Sequence, residues 1–152
     1  MDNMCSAVSL LGLLLVSLSG ASCVTCDLQP CDYTLEINFE RQDGWESGTW
    51  DIVIEESNTE VGSCSIELPT SSPTSNSTCT KTITLEQTDD GRGVSSLEVN
   101  HEFNENSQVG VSVRRNGEQV AQSTLSPDFQ PVYPNGRQCG AACLQASLDY
   151  AF

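Results

Sequence analysis

From residue 33 onward, apolar and polar positions alternate with a period of two, the spacing of a strand that has one buried and one solvated face. Tyr33, Leu35, Ile37 and Phe39 alternate with Thr34, Glu36, Asn38 and Glu40. A polar turn over 41–48 follows. Trp50, Ile52 and Ile54 then alternate with Asp51, Val53 and Glu55. Cys64, Ile66 and Leu68 alternate with Ser65 and Glu67, and Cys79, Lys81, Ile83 and Leu85 alternate with Thr80, Thr82, Thr84 and Glu86. Beyond the turn residues Asp89-Asp90-Gly91, Leu97, Val99, His101 and Phe103 continue the pattern, as do Val109, Val111 and Val113. Asn116-Gly117 then separates this last run from Glu118-Gln119-Val120. Both turn residues tolerate positive φ, so the pair predicts a tight hairpin.

Seven strands in about 100 residues predict an all-β antiparallel sandwich of immunoglobulin or fibronectin type, without sustained helical periodicity. Ala141, Ala142, Leu144, Ala146 and Leu148 are compatible with one short helix within 139–150. An antibody-type inter-sheet bridge is disfavoured, because Cys64 and Cys79 are too close in sequence and enclose no Trp.

The first residues read differently. Residues 7–18 (AVSLLGLLLVSL) form an uncharged apolar run that exits into Ser19, Gly20, Ala21 and Ser22. That is the pattern of a secretory signal peptide over 1–23, too short to span a bilayer comfortably, although Asp2 replaces the usual basic residue ahead of it. The expectation is a leader over 1–23 followed by a single sandwich domain over 24–152 that ends in a cysteine-containing tail, with no transmembrane segment in the mature chain. Cleavage after Cys23 leaves six cysteines, an even set suited to disulfides in an oxidising compartment. A lipidated Cys23 is the alternative, but Gly20-Ala21-Ser22-Cys23 lacks the leucine that bacterial lipoprotein signals carry three residues ahead.

Cys64 and Cys79 fall on the apolar faces of runs joined by a polar loop over 69–78, so they are expected to pair with each other. That bond should stabilise the fold by roughly 3 kcal/mol in the chain-entropy account. Cys26 and Cys31 lie at one end of the strand region, Cys139 and Cys143 at the other. They either pair within each couple or cross-link the two ends, and spacing does not decide between these. Cys139-x-x-x-Cys143 departs from the two-residue spacing of redox motifs, and a metal site would need more His or Cys than the single His101 supplies. Asn76-Ser77-Thr78 is a glycosylation sequon, which makes Asn76 a candidate attachment site on that loop.

The composition narrows the functional classes. Twenty-one acidic residues against six basic ones give a formal net charge of −15, which repels nucleic acid and anionic membrane and excludes nucleic-acid binding. Diffuse, weak Ca²⁺ association is expected, but no ligand-dense loop predicts a tight site. His101 shares a face with Leu97, Val99 and Phe103, which points to the edge of the core. The acid pairs Glu55-Glu56 and Asp89-Asp90 are candidate carboxylates for hydrolysis or calcium, yet strand faces and turns solvate such groups routinely. No nucleophile, base and acid converge in the pattern, so no catalytic residue and no cofactor are assigned.

The C-terminal part carries one resemblance. Val111, Val113, Arg115, Gly117, Val120 and Ala121, followed by Pro134-Asn135-Gly136, Cys139, Cys143 and Ala146, resemble the ending of uncharacterised bacterial secreted proteins and lipoproteins. The match covers about a quarter of the chain and implies an envelope or extracellular location; it brings no functional residues. The expected function is an extracellular binding or structural module for an unidentified ligand or protein. An acidic matrix protein binding Ca²⁺ or mineral is the alternative, and a hydrolase comes third.

Overall fold

The computed structural model describes Cys26, Pro30 and residues 32–69, 77–140 and 142–152. The expected leader, Cys23, Cys31 and Asn76 lie outside the described residues. Ten strands form two five-stranded sheets, and no helix occurs among the described residues. In chain order they are β1 (Thr34–Glu40), β2 (Gly48–Glu56), β3 (Thr59–Leu68), β4 (Ser77–Cys79), β5 (Ile83–Gln87), β6 (Val94–Asn100), β7 (Val109–Arg115), β8 (Glu118–Leu125), β9 (Gln130–Val132) and β10 (Cys143–Ala151). The first sheet, A, runs β5-β6-β1-β10-β9, and the second, B, runs β4-β3-β2-β7-β8.

The inward positions of both sheets form one core. Leu35, Ile37, Trp50, Ile52, Ile54, Leu97, Val99, Val109 and Val113 are fully shielded from solvent. Their outward neighbours are mostly polar, with Val53 the apolar exception on β2. Trp45, from the connection expected to be wholly polar, turns inward and packs edge-on against Trp50 and Phe152, with centroid distances of 4.7 and 5.5 Å. The Trp50 indole N–H donates to the Glu46 carbonyl at 2.9 Å, which satisfies the polar end of the core's largest side chain. Arg41 lays its guanidinium over the Trp50 ring, 4.8 Å from the centroid.

The strand order is that of an immunoglobulin variable-type sandwich. Sheet B matches the G-F-C-C′-C″ sheet, and β5-β6-β1 matches D-E-B. Trp50 sits on β2, the position of strand C, where such domains keep their buried Trp. Two features depart from that type. The inter-sheet bridge is absent, with Ile37 and Val111 or Val113 filling the corresponding core positions, and a disulfide instead ties the neighbours β3 and β4 within sheet B. The place beside β1 that strand A would take belongs to β10, which runs parallel to β1 over seven residue pairs from Thr34↔Gln145 to Glu40↔Ala151.

Three expectations need correction. The strands number ten, not seven, because one expected run is divided and β9 and β10 are additional. The divided run is 79–86: β4 and β5 belong to opposite sheets, and the chain crosses between them at 80–82. Lys81, at a nominally apolar position, marks the crossing. The Thr80 and Thr82 hydroxyls hold it by bonding the Ser63 N–H (3.1 Å) and the Val61 carbonyl (2.9 Å). The possible helix within 139–150 is strand β10. Leu144, Ala146, Leu148 and Tyr150 alternate with exposed Gln145, Ser147 and Asp149, and pairing with β1 outweighs the helical preference of the alanines. The sandwich is also not purely antiparallel, since β1 and β10 are parallel.

The crossing from β4 to β5 leaves no room beneath it. A Cβ added to Gly62 would lie 2.7 Å from both Ile83 Cδ1 and Thr82 Oγ1. Gly62→Ala should therefore cost about 1–3 kcal/mol, as overpacked cores do. Urea unfolding should show a lowered midpoint with an unchanged slope; an unchanged midpoint would mean that the crossing is not packed as described.

Candidate functional site

In variable-type sandwiches the loops at one end carry recognition. Here the described part of that end is fastened down. The Arg115 guanidinium donates from Nε and Nη2 to the Ser47 carbonyl at 3.1 and 2.9 Å, and its Nη1 pairs with Glu46. The Asn116-Gly117 turn has φ of 51° and 84°. It is stitched to Thr49, whose N–H donates to Asn116 Oδ1 at 3.0 Å.

The opposite end carries a compact polar corner. Glu56, the last residue of β2, accepts a short hydrogen bond from Ser107 Oγ and lies 3.0 Å from His101 Nε2. Ser107 in turn accepts from the Asn104 N–H at 2.8 Å, and the His101 ring stands edge-on to Phe103. The Ser107 hydroxyl holds the Glu56 carboxyl below its ordinary value against an opposing desolvation effect, and His101 adds to the lowering. Glu bridges Ser and His here, so His101 does not address the hydroxyl and the order of a Ser-His-acid relay is not formed. The arrangement anchors the β6–β7 connection to the end of β2. The neighbouring acid Glu55 points to the other face of the sheet, beside Gly110. Asp90 closes its own turn, accepting from Thr88 Oγ1 at 2.7 Å and the Arg92 N–H at 3.0 Å. Both bonds lower its pKa.

A concave surface lies on the outer face of sheet A. A groove of about 690 Å³ is lined by Thr34, Glu36, Glu98, Asp128, Gln130, Val132, Gln145, Ala146 and Ser147. The alternation that buries Leu35 and Ile37 turns Thr34 and Glu36 outward; β6 supplies Glu98, and β10 supplies Gln145 and Ser147. Four adjacent strands span about 14 Å at the usual spacing. Glu36 and Glu98 stand directly opposite each other in the β1–β6 ladder, a like-charge pairing that costs stability. None of the described salt bridges reaches Glu36, Glu98 or Asp128. Asn100 Nδ2 orients Glu98 at 3.1 Å, and Asn38 Nδ2 reaches Ser147 and Asp149 at 3.4 and 3.2 Å. The groove therefore offers fixed acceptors with little countercharge. Among the described residues no cluster of His, Cys, Asp and Glu is placed to hold a metal ion.

Of the cysteines singled out in the sequence, Cys64 and Cys79 are bonded at directly opposed positions, with Cα atoms 4.1 Å apart. Cys26 is bonded to Cys139 across 113 residues, and Cys143 is also disulfide-bonded. Cys26 is thus not paired within its own couple, and its bond cross-links the two ends of the strand region. Glu36 and Glu98 read in the sequence only as solvated strand positions. Their opposition follows from the β1–β6 register, for which no local sequence signal exists.

The polar corner has a defined acid response. Glu56 has a lower pKa folded than unfolded, so its contribution is complete above the ordinary glutamate value of 4.5 and is lost as pH falls through the depressed folded value. Ser107→Ala should remove the largest cause and flatten the loss of stability below pH 4.5. Chemical denaturation at a series of pH values should show the variant's deficit shrinking toward low pH; a deficit independent of pH would contradict the assignment.

No protein-family model matches the chain, and no curated protein matches it. Among solved structures it is similar to a Bacteroides ovatus protein provisionally described as a cell adhesion protein. The identity is 15% over 80% of this chain, with a TM-score of 0.32. The chain spans 39% of that protein's length.

Proposed function

We propose that this protein is an extracellular binding module whose outer sheet A face takes a cationic, donor-rich segment of a protein partner. The observation that carries the reading is the unneutralised opposition of Glu36 and Glu98 on the floor of the groove, with Asp128 at its side. A lysine or arginine side chain laid across β1 and β6 would relieve that repulsion. The flanking amides and hydroxyls of Gln130, Gln145 and Ser147 would bind its backbone and remaining donors. The staples favour an oxidising compartment. An extracellular location is further supported by the leader-like residues 7–18 and by the resemblance of the C-terminal part to secreted proteins and lipoproteins.

Titration with a penta-arginine peptide, followed by calorimetry, tests this. Binding should weaken as salt rises, because exposed ion pairs are screened. Glu36→Gln/Glu98→Gln/Asp128→Asn should lower affinity at least about tenfold, equivalent to ~1.4 kcal/mol. Relief of the opposed carboxylates should also raise that variant's own stability by about 0.2–1 kcal/mol. Glu102→Gln/Glu105→Gln/Glu118→Gln removes as much charge from exposed positions elsewhere and should leave affinity within twofold, with that factor taken as roughly the limit of non-specific charge effects. Equal weakening by both triple variants would show that net charge alone draws the peptide, and the groove reading would fail.

A further inference from the structure

The four sheet edges differ in how they are protected. β4 and β9 have three residues each, and β9 contains Pro131, which has no N–H to donate. β5 carries Glu86 and ends in a register shift. β8 is eight residues long, and from 119 through 127 (QVAQSTLSP) the sequence has no charge in a chain of which 18% of residues are charged. Val120, on this strand, is 42% exposed, one of two large hydrophobics so exposed among the described residues. It is the extra residue at the shift between Val113↔Ala121 and Arg114↔Gln119. A long uncharged edge is a template for another strand, and charges, prolines or short length are the usual guards against it. Along 119–125 the edge lacks all three, and the one guard it carries is the bulge at Val120.

We propose that β8 is the docking edge for a second copy of this chain, the two β8 strands pairing antiparallel about a two-fold axis and joining two B sheets into one continuous sheet. The charge pattern selects this occupant. For a chain of net charge −15, the β8 edge is the long edge along which two copies can approach without facing a carboxylate between 119 and 127. The antiparallel two-fold arrangement sends the two Glu118 carboxylates to opposite ends of the shared ladder and leaves Gln, Ser, Thr, Ala and Val at its centre. A basic foreign strand would find no carboxylate along 119–125 to reward its charge. The association involves one strand from each copy, so it is a small interface and a weak one. Its salt response is opposite in sign to that of the sheet A groove: screening relieves repulsion between the acidic bodies and strengthens pairing, whereas it weakens cation binding.

Sedimentation equilibrium of the protein as exported by its host tests the proposal over protein concentrations from about 10 μM to about 1 mM, the range of weak complexes. The mass should rise toward twice the monomer and do so at lower concentration when salt is raised. Gln122 and Thr124 are exposed on β8, so charges there should leave the fold intact. Gln122→Lys/Thr124→Lys and Gln122→Asp/Thr124→Asp should each be monomeric, with wild-type circular dichroism. An equimolar mixture of the two should recover a mass twice the monomer, because opposite charges then face each other whether the axis passes through 122 or 123. A wild-type chain that stays monomeric throughout, variants that dimerise as the wild type does, or a mixture that fails to recover the dimer would each overturn the proposal. None of these results bears on peptide binding at Glu36 and Glu98, which lie on the other sheet.

Discussion

β1 lies in the middle of sheet A, with β6 on one side and, on the other, a strand from the far end of the chain. Asn38 and Asp149, which touch across this junction, are 111 residues apart in sequence. Without β10 the inner face of β1 would lose Tyr150 and Phe152, which close the aromatic group around Phe39, Trp45 and Trp50. The outer face would lose Gln145 and Ser147, and with them one wall of the groove. Bringing chain ends together has a large entropic cost, and the Cys26–Cys139 bond reduces it by constraining the unfolded chain. For loops of about 100 residues that effect is on the order of 4–5 kcal/mol in the chain-entropy account. The staple and the parallel pairing thus act on the same step, closure of the sequence on itself.

Most of the architecture was legible because the two-residue period is a local signal that burial enforces directly. It locates β1, β2 and β7 to within a few residues, the second half of β3, and β6 shifted by three residues so that His101 and Phe103 fall in the following connection, and Asn116-Gly117 locates the β7–β8 turn. What the period does not encode is which sheet a strand joins. The run over 79–86 keeps its alternation through a crossing between sheets, because Thr80, Lys81 and Thr82 form a hydrogen-bonded bend without glycine or proline. In 143–152 the alternation was present as Leu144, Ala146, Leu148 and Tyr150, but alanine spacing also suited a helix. Only the partner strand distinguishes the two. Trp45 looked like part of a polar turn since its neighbours are polar; its burial depends on Gly93, where a Cβ would collide with the indole ring.

The candidate site was less legible for the same reason. Glu36 and Glu98 are ordinary solvated residues until the register of β1 with β6 sets them side by side, and Asp128 reaches the same concave surface from the connection ahead of β9. The corner of Glu56, His101 and Ser107 likewise joins two residues of the β6–β7 connection to the end of a distant strand, β2. Its acids had been singled out, but the role found for Glu56 is to fasten a loop. The result is a domain whose described corners, at Asn116 and at Glu56, are held by hydrogen bonds of their own and whose sheets offer two unlike surfaces, one carboxylate-lined and one uncharged.

Because one wall of the groove and the aromatic closure around Phe39 depend on β10 seated beside β1, amide hydrogen exchange of β10 is the most direct measurement. In the native protein, amides within β1 and within β10 should exchange together, at the rate set by global unfolding. The intervening β9 edge should exchange faster. If the β10 amides exchanged orders of magnitude faster than those of β1, in the manner of a free tail, the parallel pairing would be absent and with it the groove, the aromatic closure and the account of how the two chain ends are joined.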